Sequence, residues 1–366
     1  MELESRLVFI DTSAYHQKNY QFGEHALGKL QKLVEGEKLL LLITDVTKSE
    51  IKSHLKKLAE ESASKIKKIK KDVMFLRNTP DLPCFGIFTD LSADEIFQIV
   101  DEKFVELVEG ENVEEVSVGT VDPKAVFDRY FQGNPPFGKE KKKCEFPDAF
   151  VLEAIRKIAE QKGQPIYVIS SDSDMKSYVE SEGNLIYLNS VDEIIDLVLR
   201  NDADMAEPVN LADNVFNSLQ ERLITRVEKY LAESEFYSDD VDGWDDEIDE
   251  IEIIDIRVSH KSLINVTNEE AEYETVFECS LIANYSVSDY NRSPWDGEDN
   301  AYVFVLQNHI TKSHCEKYSA YVHISYVNGL KINGDIEELD FVDSRFELKE
   351  ENSTITDYKE FDINGE

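Results

Sequence analysis

Through the first two hundred residues, short apolar runs alternate with stretches of helical periodicity. Residues 7–10 (LVFI), 39–43, 166–170 and 185–188 have strand length and no polar face, the pattern of strands buried on both sides. Between them, 28–34, 47–76, 92–109, 146–161, 173–182 and 191–199 read as helices. Ser92 with Glu95 three positions later is a capping box, and Pro147 suits a first helical turn. Strands that alternate with helices and lack hairpin signals predict a parallel sheet covered by helices on both faces. The pattern changes near 201–209. Residues 211–235 predict one long amphipathic helix, and beyond an acidic stretch the period falls to two. Tyr318, Ala320, Val322, Ile324 and Tyr326 alternate with Ser319, Tyr321, His323 and Ser325, and 251–266, 274–290 and 300–312 are strand-like too. Asn328-Gly329 and Asn333-Gly334 are turn signals. The expectation is an α/β domain over 1–204 and an acidic α+β domain over 205–366, with a mainly antiparallel sheet after its long helix.

Composition narrows the function. The 366 residues are 41% hydrophobic, enough for two packed cores. No apolar run approaches the length of a membrane span, and the acidic start is unlike a secretory signal. The four cysteines, Cys84, Cys144, Cys279 and Cys315, form no CxxC pair, so reduced thiols in a cytoplasmic protein are expected rather than zinc or disulfides. The net charge is −37, about −9 over residues 1–200 and about −28 over the rest. Such acidity argues against nucleic-acid binding over the whole surface and leaves room for a local basic track in the first half.

Four acidic motifs stand where the apolar strands end: Asp11 after LVFI, Glu50 after the second strand, Asp148 at the start of a helix, and Asp172 with Asp174 after the 166–170 run. Each has a bland explanation. Asp11 and one of Asp172 and Asp174 suit helix N-caps, Thr47 to Glu50 has the form of a capping box, and Asp148 suits a helix dipole. Together they point to one crevice, because strand ends of an open α/β sheet share it. Carboxylates gathered there repel unless a hard cation joins them, and Mg²⁺ or Mn²⁺ with oxygen ligands is the usual solution.

The segments Val8-Phe9-Ile10-Asp11-Thr12-Ser13, Val46 to Glu50, Phe146-Pro147-Asp148-Ala149 and Val168-Ile169-Ser170-Ser171-Asp172-Ser173-Asp174 resemble the PIN-domain nuclease family over about residues 5–200. The resemblance implies a parallel sheet flanked by helices and Mg²⁺- or Mn²⁺-dependent cleavage of RNA, less often DNA. By matching position it implies Asp11, Glu50, Asp148 and Asp172 as the catalytic acids. Asp11, Asp148 and Asp172 would hold one or two ions, with Glu50 helping and Asp174 an auxiliary ligand. Thr12, Ser13 and Ser171 would hydrogen-bond around the site. Asp45 stands where many relatives have proline, and Met175 where an aromatic is common.

Lys48, Lys52 and further lysines of the 47–76 helix, with Lys141, Lys142 and Lys143 just before Asp148, form two basic tracks that could contact a nucleic-acid backbone. The competing readings are a solvated helix face and a plain loop. For the whole chain the rival functions are a non-catalytic PIN-like scaffold for RNA or protein and a DNA-directed nuclease. A metal-dependent adhesion site fails at Tyr15 and a HAD-type phosphatase at Ser13. The acidic second half is read as a partner-binding or self-inhibitory domain, or as a scaffold or oligomerisation module, with no membrane association.

Overall fold

Strand β1 (Leu7–Ile10) is buried along its whole length, and its two faces feed two different cores. Val8 and Ile10 point to one side and Leu7 and Phe9 to the other, as the two-residue period of a strand requires. The structure, a computed structural model, describes residues 2–23, 25–138, 145–238, 246–297, 300–326 and 334–359. The chain forms two compact units, Met1–Asn201 and Asp202–Glu366.

In the first unit the helices are α1 (Thr12–Gln17), α2 (His25–Glu35), α3 (Asp45–Asp72), α4 (Ala93–Val108), α5 (Pro123–Gln132), α6 (Phe146–Lys162), α7 (Ser173–Ser181) and α8 (Val191–Asn201). They enclose a sheet of β1, β2 (Leu40–Thr44), β3 (Val113–Val116), β4 (Ile166–Ile169) and β5 (Leu185–Leu188), in the order β3-β2-β1-β4-β5. All four pairings are parallel, as the alternating pattern predicts. Helices α2, α3, α4 and α8 cover the Val8/Ile10 face through residues such as Leu30, Ile51, Leu55, Phe104 and Ile194. Helices α5, α6 and α7 cover the Phe9 face through Val126, Leu152, Ile155 and Tyr178. The chain moves outward from β1 to β2 and β3, then returns to build β4 and β5 on the other side. That reversal is a topological switch point, and it opens a crevice beyond the carboxyl ends of β1 and β4.

Three elements of this unit lack an apolar pattern that marks them in the sequence. Strand β3 has only two apolar residues, Val113 and Val116, and becomes a strand because β2 offers it a free edge. Helix α1 has six residues, too short for periodicity to register. Helix α5 begins with Asp122 as N-cap and Pro123 in its first turn, and only Val126 is fully buried.

The second unit holds α9 (Ala206–Ala232), whose buried positions Val209, Ala212, Val215, Phe216, Leu219, Leu223, Val227 and Leu231 form one stripe. It packs on a sheet of long antiparallel strands. Short β6 (Phe236–Tyr237) precedes β7 (Glu247–Val266), β8 (Glu270–Asp289), short β9 (Trp295–Asp296) and β10 (Ala301–Tyr302), then β11 (Leu306–Tyr326), β12 (Gly334–Phe341), short β13 (Phe346–Glu347) and β14 (Ser353–Lys359). The order is β12-β11-β8-β7, with β14 also on β11. The segments expected as separate strands near 300–312 and 318–326 merge into β11, which pairs with β8 from Leu306 to Ser325. The expected turns at Asn328-Gly329 and Asn333 lie outside the described residues, as do Cys144 and most of the acidic stretch that follows α9. Among the described residues no helix is long and apolar enough to cross a membrane.

Candidate active site

Asp11 is the first residue beyond β1, and its backbone N–H still bonds to Ile169 O on β4 at 2.9 Å. Its extended backbone makes it the N-cap of α1. Its side chain, 7% exposed, accepts on one oxygen from the Ser13 N–H (3.1 Å), from Ser13 Oγ, and from Ser170 Oγ (3.0 Å). Ser170, at the end of β4, also accepts from the Asp172 N–H at 3.0 Å, and the Ser171 N–H donates to Ser13 Oγ at 3.1 Å. Two strand ends separated by more than 150 residues are thus tied into one hydrogen-bonded network. Ser171 enters it through its backbone, and Ser170 takes the central side-chain position.

Glu50 reaches the same crevice from α3. That helix is capped by Thr44, whose hydroxyl accepts from the Thr47 N–H at 3.0 Å. The Thr47–Glu50 pair therefore lies inside the helix and does not cap it. The Glu50 carboxylate instead accepts from Thr12 Oγ1 at 2.9 Å.

Asp148 stands in the first turn of α6, after Pro147. Its carboxyl is pushed up to about 8 by burial first, then by the charges of Asp11 and Glu50, and by a hydrogen bond with Glu145. A first-turn acid is ordinarily favoured by the helix dipole. Here burial and three neighbouring carboxylates outweigh it. Tyr20 is pushed up to about 12 by burial and then by Asp11 and Glu50, so the excess of negative charge reaches beyond the acids. Glu145 had no part in the sequence reading. Its three-residue spacing to Asp148 puts it on the same side of a helical turn, and that was the available signal.

Asp172 is the N-cap of α7, with Oδ1 accepting from the Asp174 N–H (2.6 Å) and the Met175 N–H (3.3 Å). Its second oxygen takes no part in those bonds, and Asp174 sits in the first turn of the helix. Oxygen donors with mutual repulsion have the chemistry of a hard divalent-cation site. Among the described residues, however, no three His, Cys, Asp or Glu side chains close on one point. The donor set fits such an ion in type and charge, and enclosing one requires side-chain movement at the crevice.

Of the proposed basic contacts, Lys48 pairs with Glu115 at 3.0 Å and Glu109 at 3.7 Å, and Lys52 pairs with Asp101 at 3.1 Å. Lys141, Lys142 and Lys143 lie outside the described residues.

A family model described as a PIN domain matches residues 8–175, a span that holds every acid named above. The N-terminal unit carries a PIN domain. PIN domains are generally nucleases and typically use divalent metals. Neither the comparison with curated proteins nor that with solved structures gave a match.

Proposed function

We propose that the PIN domain is a metal-dependent nuclease, acting on RNA in preference to DNA. One observation carries the reading: within the PIN-matched span, Asp11, Glu50 and Asp148 lie close enough that burial and the charges of the first two raise the Asp148 carboxyl, a concentration of negative charge that a cation would relieve. Asp11, Asp148 and Asp172 would hold Mg²⁺ or Mn²⁺, with Glu50 beside them and Asp174 auxiliary. When bound, the ion neutralises the scissile phosphate and makes water a nucleophile.

The chain's own residues prepare the site. Ser13 and Ser170 fix one oxygen of Asp11 and leave the other outside their bonds. Thr12 holds Glu50 toward Asp11. Burial and the charges of Asp11 and Glu50 raise the Asp148 carboxyl, and a cation held there would favour its ionised form. Lys141, Lys142 and Lys143 contact phosphates, and Lys48 and Lys52 join them by exchanging their acidic partners. The RNA preference follows the family resemblance. The second unit regulates the site or mediates assembly.

A panel of RNAs and single- and double-stranded DNAs, incubated with Mn²⁺ or EDTA and end-mapped, tests this. Manganese-dependent cuts leaving 5′-phosphates are expected, and Asp11→Asn should abolish them while the melting temperature holds. Cleavage by Asp11→Asn at the wild-type rate would sink the assignment. One observation favours a second reading, a non-catalytic PIN scaffold: no three side chains close on a metal position among the described residues. Manganese titration separates the two, because a scaffold would bind the ion no better than Asp11→Asn does.

A further inference from the structure

Helix α5 presents two stacked aromatic rings to solvent. Phe131 is 65% exposed and Phe127 45%. One helical turn apart, their rings stack with centroids 6.3 Å apart and planes 27° from parallel. The pair reaches the helix that carries Asp148. Phe127 lies 5.3 Å from Phe146, the first residue of α6, and Asp148 follows two positions later. Beneath the surface, Phe146 packs on Tyr130 at 5.0 Å and on fully buried Phe137 at 4.8 Å. The platform is also anchored. Arg129 on α5 forms an ion pair with Glu182 and lies over the Tyr178 ring at 4.4 Å. The helix that carries the rings is thus tied to α7.

We infer that Phe127 and Phe131 form a base-stacking platform that seats one or two unpaired bases of a single-stranded nucleic acid beside the Asp148 crevice. This rests on the nuclease reading above. Every base offers a π-face, so stacking on aromatic side chains holds single strands without regard to sequence. A duplex keeps its bases stacked on one another and has none to offer. Charge favours the same occupant. The stretch that joins Phe137 to Phe146 holds four lysines, at 139 and 141–143, against Glu140 and Glu145, a net positive charge that suits a phosphate backbone better than an apolar protein partner. The placement of those lysines lies outside the described residues, and only their charge is used here.

The test is equilibrium binding of the full-length protein, in EDTA to prevent cleavage, to two labelled probes. One is a short single-stranded RNA and the other an abasic strand of equal length and charge. Phe131→Ala should weaken binding of the RNA roughly five- to a hundredfold. It should leave binding of the abasic strand and the melting temperature unchanged, and Phe131→Trp should restore RNA binding. If Phe131→Ala binds the RNA as tightly as wild type, or loses the two probes equally, the platform is refuted. The nuclease reading then stands wherever wild type still cleaves with Mn²⁺. If wild type binds neither probe and cuts nothing, both readings fall.

Discussion

Asp148 occupies a helix first turn, where the dipole favours a carboxylate, yet its carboxyl is pushed up to about 8. The folded protein therefore binds a proton that the unfolded chain has released, over the interval between the ordinary 3.8 and about 8. Native-state protonation is favourable at low pH, and that contribution is lost as pH rises through the folded value. In EDTA the melting temperature should fall with pH across this window, with a slope of up to about 1.4 kcal/mol per pH unit from this group. Asp148→Asn should flatten the slope, and Mn²⁺ should raise the wild-type melting temperature more at pH 8 than at pH 5. A slope unchanged in Asp148→Asn would show that another group is responsible. Gly28 is a second decisive position. A Cβ there would lie 2.5 Å from the backbone carbon of Gly23, a residue held at φ +81°. Gly28→Ala gains up to about 1 kcal/mol in helix propensity. The clash is with backbone and cannot be relieved by a rotamer change, so a net loss of roughly 1–3 kcal/mol is expected in chemical denaturation.

At the scale of elements, one buried ion pair ties the end of α1 to α8. Lys18 and Asp192 are in direct contact, 3% and 0% exposed. Removing one partner leaves a buried charge unmatched, so Lys18→Met should cost about 3–5 kcal/mol. Lys18→Met with Asp192→Leu should recover much of that loss, and a double mutant no more stable than the single would show that the pair is not the source. Helix starts also decide how the acids are read. Because Thr44 caps α3, Glu50 is released from the capping role that its spacing from Thr47 suggests. Asp172 does cap α7, so Asp172→Ala should lower stability by about 1 kcal/mol through the lost cap. Asp174→Ala leaves the Asp172 cap in place and should cost less, a difference that thermal melts can read.

For the molecule as a whole, charge is the dominant asymmetry. The second unit carries about −28 of the −37, and a polyanion tethered on the same chain repels nucleic acid within reach of its screened field. Deleting residues 202–366 should therefore tighten RNA binding at low salt, with the gain vanishing once the Debye length falls to a few ångströms near 1 M salt. Equal affinity of the two forms at low salt would remove electrostatic regulation from consideration. The alternation of apolar runs and helical stretches was sufficient for the parallel sheet, because strands buried on both faces need unbroken apolar runs such as LVFI. It was sufficient also for α9, whose stripe of eight buried residues repeats every three or four positions. It could not reveal β3, whose strand character comes from the edge of β2, or the unbroken length of β11, which is fixed by pairing with β8. The same division holds at the crevice. Asp11, Glu50, Asp148, Asp172 and Asp174 stand out in the sequence because a polar residue directly after a buried strand, or in a helix first turn, is a local feature. Only the tertiary structure decided that Ser170 joins Asp11 to Asp172, that Glu145 shares the surroundings of Asp148, and that Lys48 and Lys52 are already paired. Those relations depend on distances between segments far apart in the chain, and the order of residues carries no record of them.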